Sequence, residues 1–234
     1  VAAGGDGTVS LISNKIIGTD IPLGIIPLGT GNLIAQELSI PVNLEKSLVL
    51  MTVENPKIIQ MDTIKLEDRY CLMNVSVGVS PKIMKKTHSK EKQRFGIFAY
   101  LVHIAEQFLG LKLHRFFVEY DKKNITFHAS EVLVTNGKAA GFKAIKLAED
   151  IAINDGQLDL FIIRATNIRD LLSLLLSIFS KTERGDDMMR YIRFSDYCRI
   201  ESQTPLPAQA DGDTVGETPI RIKILPKSLN VIVR

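Results

Sequence analysis

Val1-Ala2-Ala3-Gly4-Gly5-Asp6-Gly7-Thr8 opens the chain, and Ile25-Ile26-Pro27-Leu28-Gly29-Thr30-Gly31-Asn32 repeats its plan a short way on. Each is an apolar run, then a glycine-rich loop, then a helical pattern. Val9, Ile12 and Ile16 fall at helical spacing after the first loop, and Gly18 closes that stretch. After the second loop a helix continues through Leu38, and a third helical stretch covers 44–53, between Pro41 and Asn55-Pro56. Strand, loop and helix in repetition predict a parallel α/β sheet. Glycines let backbone N–H groups approach phosphate oxygens, and a helix starting at Thr8 or Val9 points its positive end at the same place. Two such loops on neighbouring parallel strands face one crevice, the usual ligand site of open α/β sheets. The loops equally satisfy a plainer reading as tight turns with Asp6 and Thr30 as helix caps. Neither has the spacing of the common phosphate-loop or dinucleotide motifs.

Outward from these loops the texture changes near Ile58. The segments 58–66, 69–79, 116–120, 125–135, 158–163, 191–200 and 220–225 read as strands, bounded by turn residues such as Glu67-Asp68, Lys122-Lys123-Asn124 and Asn154-Asp155-Gly156. Many short strands in succession predict an antiparallel sandwich or barrel. Two helices interrupt it, at 95–111 and 168–181. The expected fold class is therefore α/β plus β: a partial parallel α/β unit over 1–57, then a β-sandwich over 58–225 with two helices. Three helices with little more than one complete strand make a poor core for the first unit. We therefore expect further strands before Val1, and an exposed apolar sheet edge near Val1–Ala3 and Ile25-Ile26.

Composition narrows the class. Apolar residues make up 45% and charged residues 24%, which are globular proportions. A net charge of +3 is too slight for a dedicated nucleic-acid binder. Cys71 and Cys198 lie far apart and suit a reducing setting better than a disulfide scaffold. The longest apolar stretch, 171–179, is far short of the roughly 20 residues of a membrane-spanning helix. His88, His103, His114 and His128 have no metal-ligand spacing. Lys82, Lys85, Lys86, Lys90, Lys92 and Arg94 precede the apolar helix at 95–111, as a solvated loop or a contact with anionic lipid headgroups.

Gly4-Gly5-Asp6-Gly7-Thr8 with Ile26-Pro27-Leu28-Gly29-Thr30-Gly31-Asn32 resembles the diacylglycerol kinase catalytic domain family, which includes bacterial lipid kinases and sphingosine kinases. The resemblance continues through Asn154-Asp155-Gly156-Gln157-Leu158-Asp159 and Ala210-Asp211-Gly212-Asp213 to the closing strands at 225–233. It implies an ATP-dependent lipid kinase with an N-terminally incomplete nucleotide domain over 1–57. The lipid-substrate domain would cover 58–225, and a last strand over 226–234 would return to the first domain.

The same resemblance implies residue roles. ATP phosphates would rest on Gly4, Gly5, Asp6, Gly7 and Thr8 and on Gly29, Thr30, Gly31 and Asn32. Asp213, with Asp211 close by, would accept the proton of the lipid hydroxyl; it stands where the family commonly has Glu. Asp62, in a mostly apolar strand, would be linked to a catalytic Mg²⁺ through water. Asp155, with the carbonyls of Ala152 and Gln157, would hold a second, structural Mg²⁺. Leu33 departs from the Asp that many bacterial members carry after the second loop, which removes one metal-linked carboxylate.

Read from the residues alone, Asp211-Gly212-Asp213 is also good hairpin-turn chemistry, and Asn154-Asp155-Gly156 a plain turn. Two other functions compete: an NAD kinase, which shares the Gly-Gly-Asp-Gly-Thr motif, and a non-catalytic lipid- or nucleotide-binding protein. The expected partners are a lipid substrate at a membrane surface and a second copy in a homodimer, with no nucleic acid. The expected location is cytoplasmic, peripheral to the membrane.

Overall fold

The computed structural model describes residues 1–78, 112–138, 151–167, 169–170, 173 and 188–234. The expected helix at 95–111, the basic run at 82–94, and all but three residues of the expected helix at 168–181 lie outside them. Two short parallel strands, β1 (Ala2–Gly4) and β2 (Ile25–Pro27), carry the glycine loops in the register Ala2↔Ile25, Ala3↔Ile26 and Gly4↔Pro27. Helix α1 (Asp6–Ile16) begins earlier than its apolar spacing suggests, because the Gly5 carbonyl already accepts the N–H groups of Thr8 and Val9. Asp6 in its first turn and Lys15 in its last both oppose the helix dipole's end charges. Helix α2 (Leu33–Glu37) follows the second loop, and α3 (Leu44–Thr52) is capped by Asn43, whose Oδ1 accepts the Lys46 N–H at 3.0 Å.

The remainder is two six-stranded antiparallel sheets. One holds β3 (Lys57–Lys65), β4 (Tyr70–Cys71), β6 (His114–Tyr120), β7 (Lys123–Ala129), β11 (Tyr197–Ser202) and β14 (Ile220–Val233), in the order β4-β3-β14-β11-β6-β7. The other holds β5 (Asn74–Gly78), β8 (Glu131–Thr135), β9 (Leu158–Ile163), β10 (Met189–Phe194), β12 (Pro207–Ala210) and β13 (Asp213–Glu217), in the order β10-β9-β8-β5-β12-β13. Their inner faces share one apolar cluster that includes Ile64, Val75, Phe116, Val134, Leu160, Ile200 and Ile222.

Three segments that read as single strands are each two strands lying in different sheets. The runs 69–79, 125–135 and 191–200 become β4 and β5, β7 and β8, and β10 and β11. At each corner a distant group intervenes. The Asp211 carboxylate takes the N–H groups of Leu72, Met73 and Asn74 at 2.6, 2.9 and 3.0 Å. The Asp121 carboxylate takes those of Ser195 and Asp196, both at 2.9 Å. Ser130 donates from its N–H and its hydroxyl to the Ile163 carbonyl. Strands β12 and β13 are additional to those read from the sequence.

The first unit has a second core of its own, completed by the sandwich. Ala2, Val9, Leu23, Ile25 and Ile34 pack with Met61, Leu72, Met73, Leu229, Val231 and Val233. Leu23 also bridges Val231 in parallel, so the edge of the sandwich continues into the first unit. The expected apolar sheet edge is met in part: Val1 and Ala3 are exposed on β1, which pairs only with β2 among the described residues, whereas Ile25 and Ile26 are buried, with α3 packed on β2.

Candidate active site

The two glycine loops touch backbone to backbone. The Leu28 N–H donates to the Gly4 carbonyl at 3.0 Å. A Cβ on Gly29 would lie 2.5 Å from the Gly5 Cα, so no side chain fits there without the loops parting. Asn32 fixes the second loop from within: it is buried, its Oδ1 accepts the Gly29 N–H at 2.9 Å, and its Nδ2 donates to the Gly29 carbonyl at 2.7 Å. The Gln36 side chain donates to the Gly31 carbonyl. Gly5, the N-cap of α1, offers no side-chain cap, and Gly7, Thr8 and Thr30 stay exposed. The first-turn N–H groups of α1 are thus presented beside open loop residues, an arrangement suited to an anion.

Asp6 lies between the two loops. Its Oδ1 accepts the Ile34 N–H at 3.3 Å, and a Cβ on Gly31 would come within 2.9 Å of its Oδ2. Leu33, where a second carboxylate is absent, opens α2 directly beside it.

Asp211 comes to this place from the far end of the chain. Strands β12 and β13 are joined by the two-residue turn Asp211-Gly212, with φ of 47° and 94°, the positive pair that a type I′ hairpin requires. The Asp211 carboxylate turns inward onto the three amides at 72–74. Burial raises its pKa above the usual carboxylate range, the three amide N–H groups pull it down, and the negative charge of Asp6 adds to the rise. The glycine loop and the Asp-Gly-Asp hairpin, some two hundred residues apart, are therefore electrostatic neighbours. Asp213 stands two residues on, exposed at the start of β13, and its carboxylate makes no hydrogen bond with any described residue.

Asp62 is fully buried, and its two oxygens are taken by backbone. Oδ1 accepts the Lys227 N–H and Oδ2 the Gly156 N–H, each at 2.7 Å. It thereby joins β3, the bulge of β14 at 226–228 and the 154–156 turn, which answers the need of a carboxylate in an apolar strand. Each oxygen keeps a second acceptor direction.

Asp155 sits on that turn, its Oδ1 accepting the Gln157 N–H at 2.9 Å. Its pKa is raised by burial; the Gln157 N–H and Arg193 oppose this, while Asp159 and Asp62 add to it. Asp159 is buried and accepts from the Tyr191 hydroxyl and, at 3.1 Å, from Arg193 Nε, both on Oδ1; its Oδ2 has no hydrogen-bond partner among the described residues. Asp155 thus feels the charge of both Asp159 and Asp62. Among the described residues no three His, Cys, Asp or Glu side chains converge closely enough to hold a metal ion by themselves. Carbonyl oxygens such as those of Ala152 and Gln157 would have to complete the set.

Sequence reasoning assigned nothing to Gln209 and Asn136. Asn136 Nδ2 donates to the carbonyls of Asp62 at 2.7 Å and Leu72 at 3.0 Å, tying the strand of one acid to the corner that holds another. Gln209 fastens the Asp-Gly turn itself. The available signal was an amide side chain within Ala208-Gln209-Ala210, where both neighbours are small and apolar.

Residues 1–66 match the diacylglycerol kinase catalytic domain family, and residues 73–233 match the YegS C-terminal NAD kinase beta sandwich-like domain. An Escherichia coli (strain SMS-3-5 / SECEC) protein named "Probable lipid kinase YegS" is 30% identical over 234 residues, 98% of this chain and 76% of that protein. A Synechocystis protein is 27% identical over 235 residues, 99% of this chain and 54% of that one, so the chain spans about half the length of that relative. The crystal structure of a diacylglycerol kinase from Bacillus anthracis str. Sterne matches with a TM-score of 0.71 and 21% identity, over 99% of this chain and 75% of that one. At that identity the likeness is one of fold. No described helix is long and apolar enough to cross a membrane.

Proposed function

The chain belongs to the diacylglycerol kinase catalytic domain family of lipid kinases, and from that premise we propose that it transfers the γ-phosphoryl group of ATP to a lipid hydroxyl, diacylglycerol-like or sphingoid, where the glycine loops meet the Asp211-Gly212-Asp213 hairpin. The observation that carries this reading is a pair of hydrogen bonds, Asn14 Nδ2 to the Tyr70 carbonyl and the Tyr70 N–H to Asn14 Oδ1, both 2.9 Å, which set α1 beside the 72–74 corner that holds Asp211. Phosphoryl transfer is chiefly a matter of positioning and charge neutralisation.

The N–H groups of Gly5, Asp6 and Gly7, at the head of α1, and those of Thr30 and Gly31 hold the phosphates, with the exposed Thr8 hydroxyl beside them. Asp6 lies between the loops as the acidic group nearest them. Asp213, exposed and without a hydrogen bond among the described residues, accepts the proton of the lipid hydroxyl as its oxygen attacks the γ-phosphorus and the bond to the ADP oxygen breaks. Asp211 stays locked to the backbone and holds the hairpin. A Mg²⁺ ion would neutralise phosphate charge; Asp6, and Asp62 through water, are the residues that would hold it. Asp155 with the Ala152 and Gln157 carbonyls would hold a second Mg²⁺ that stiffens the turn. The acceptor lipid is met at a membrane surface.

The test is transfer of label from γ-labelled ATP to a panel of diacylglycerol and sphingoid lipids, with NAD as a further acceptor. Label is expected in lipid and not in NAD. Asp213→Asn should lower turnover by roughly 10²–10⁴, the range of acid–base catalysis, with a much smaller change in nucleotide affinity. Label in NAD alone, or wild-type turnover in Asp213→Asn, sinks the reading. Leu33 favours a second reading, a protein that binds nucleotide without turnover; ATP binding with no product in any lipid would favour it.

A further inference from the structure

Asp213 is exposed and has no hydrogen bond of its own among the described residues. Its direction is therefore set by the backbone of the turn that precedes it. Two side chains hold that turn. One is Asp211, through the amides at 72–74. The other is Gln209, all of whose side-chain polar atoms are engaged.

Gln209 is buried, with 6% of its surface exposed. Its Oε1 accepts the Gly212 N–H at 2.8 Å. Its Nε2 donates to Ser76 Oγ at 2.9 Å and to Asn74 Oδ1 at 3.2 Å. Asn74 closes the ring: its N–H goes to Asp211 Oδ1 at 3.0 Å, and its carbonyl accepts the Asp211 N–H at 3.0 Å. The backbone supports the same arrangement. β12 pairs Ala208 with Gly216 and then Gln209 with Thr214, leaving Val215 as an extra residue opposite that step. A bulge of this kind kinks a strand and re-aims the residues beside it. Here it tilts the end of the hairpin that carries Asp213.

We infer that Gln209 is a positioning residue that sets where the Asp213 carboxylate stands, acting through the hydrogen bond its Oε1 accepts from the Gly212 N–H, while its donors to Ser76 and Asn74 of β5 add stability. The inference rests on the proposed role of Asp213. Gln209 touches neither nucleotide nor lipid; it acts on the reaction only through the hairpin.

Gln209→Met keeps the length of the side chain and removes every polar contact. Gln209→Glu keeps an acceptor for Gly212 and loses the donors to Ser76 and Asn74. Both lower the urea midpoint, since each leaves buried polar groups unpaired. Only Gln209→Met should lower kcat, by roughly 10- to 100-fold, the scale of an ångström-sized misplacement, with KM for ATP within about twofold. Gln209→Glu should keep kcat within about threefold. Such a split between stability and turnover does not follow from a merely structural role. Wild-type kcat in Gln209→Met, or loss of kcat in both variants in step with their midpoints, overturns the inference.

Hydrogen exchange separates this inference from the reaction it rests on. If the wild-type protein phosphorylates no lipid, the functional reading falls and the Gly212 amide decides the positioning. Faster exchange of Gly212 in Gln209→Met, with the β3–β14 ladder unchanged, supports the anchor. Unchanged protection of Gly212 overturns it.

Discussion

The hairpin β6–β7 and the hairpin β12–β13 end in the same device. Each has a two-residue turn, Asp121-Lys122 and Asp211-Gly212, with both residues at positive φ. In each the first residue is an aspartate whose carboxylate reaches a corner where the chain leaves one sheet for the other. Asp121 takes two amides between β10 and β11, and Asp211 takes three between β4 and β5. Even the return contact is alike: the Asp121 N–H goes to the Tyr197 carbonyl and the Asp211 N–H to the Asn74 carbonyl. What differs is the setting. Both residues are half-buried, but the hydrogen bonds of Asp121 lie at the exposed surface and those of Asp211 in a part-buried corner, where burial and the charge of Asp6 push its carboxyl pKa up. On the proposed function, a pin that serves only the fold in one hairpin is, in the other, also the mount of a reactive group. Local conformation does not distinguish them. Burial and neighbouring charge do.

Removing both pins separates the two jobs. Asp211→Ala strands three amides, two of them on the buried Leu72 and Met73, and should cost about 3 kcal/mol or more, with each orphaned donor worth about 1–3 kcal/mol. Turnover should fall by roughly 10²-fold or more, because Asp213 loses its mount. Asp121→Ala, whose amides can turn to water, should cost about 1 kcal/mol, like the loss of a helix cap, and leave turnover unchanged. Urea unfolding at constant slope and phosphoryl transfer measure the two effects. Equal losses of activity would remove the distinction.

The glycine loops were legible in the sequence, and the sandwich less so. The loops show themselves because their geometry is local: strand, loop and helix lie within about ten residues. The three corners do not. Apolar alternation runs through 69–79, 125–135 and 191–200 because the inner faces of both sheets line one cluster, so the pattern never breaks where the chain changes sheet. The break is made by Asp211, Asp121 and Ile163, all remote in sequence from the corners they hold. Strands β12 and β13 were hidden because Pro205, Pro207, Gly212 and Gly216 read as loop punctuation. The pairing that overrides them comes from β5. Asp62 was recognisable as a buried carboxylate in need of partners, but the Gly156 and Lys227 amides that meet it could not be named from sequence.

A smaller effect sharpens the electrostatic half of the comparison. Burial dominates at Asp211 and its folded-state pKa lies above the unfolded value. A carboxyl raised in this way contributes stability that is fully present below its unfolded pKa. That contribution is lost as pH rises through the folded value. The stability difference between wild type and Asp211→Asn should therefore be largest in acid and shrink toward neutral pH, by about 1.4 kcal/mol for each unit of upward shift. Asp6→Asn removes the facing charge and should move this window to lower pH. A difference that grows with pH would mean that the three amides outweigh burial, and that Asp211 is held as a comfortable carboxylate like any surface pin.

The least effect lies in the second residue of each turn. Lys122 holds φ 65° and Gly212 holds φ 94°. For a residue with a Cβ the left-handed region costs about 1–2 kcal/mol, which glycine avoids. Glycine in turn loses more freedom on folding, by roughly 0.5–1 kcal/mol. Lys122→Gly should thus gain about 0.5 kcal/mol, read as a higher urea midpoint with no change in turnover. Gly212→Ala should lose about 1 kcal/mol and also lower turnover, since the strained turn carries Asp213 with it. If Lys122→Gly destabilises, the Lys122 side chain contributes more than its backbone strain removes, and the two turns are alike in shape but not in what holds them. If Gly212→Ala keeps full turnover, the position of Asp213 does not depend on the turn, and the Gln209 anchor loses its purpose together with the Asp211 mount.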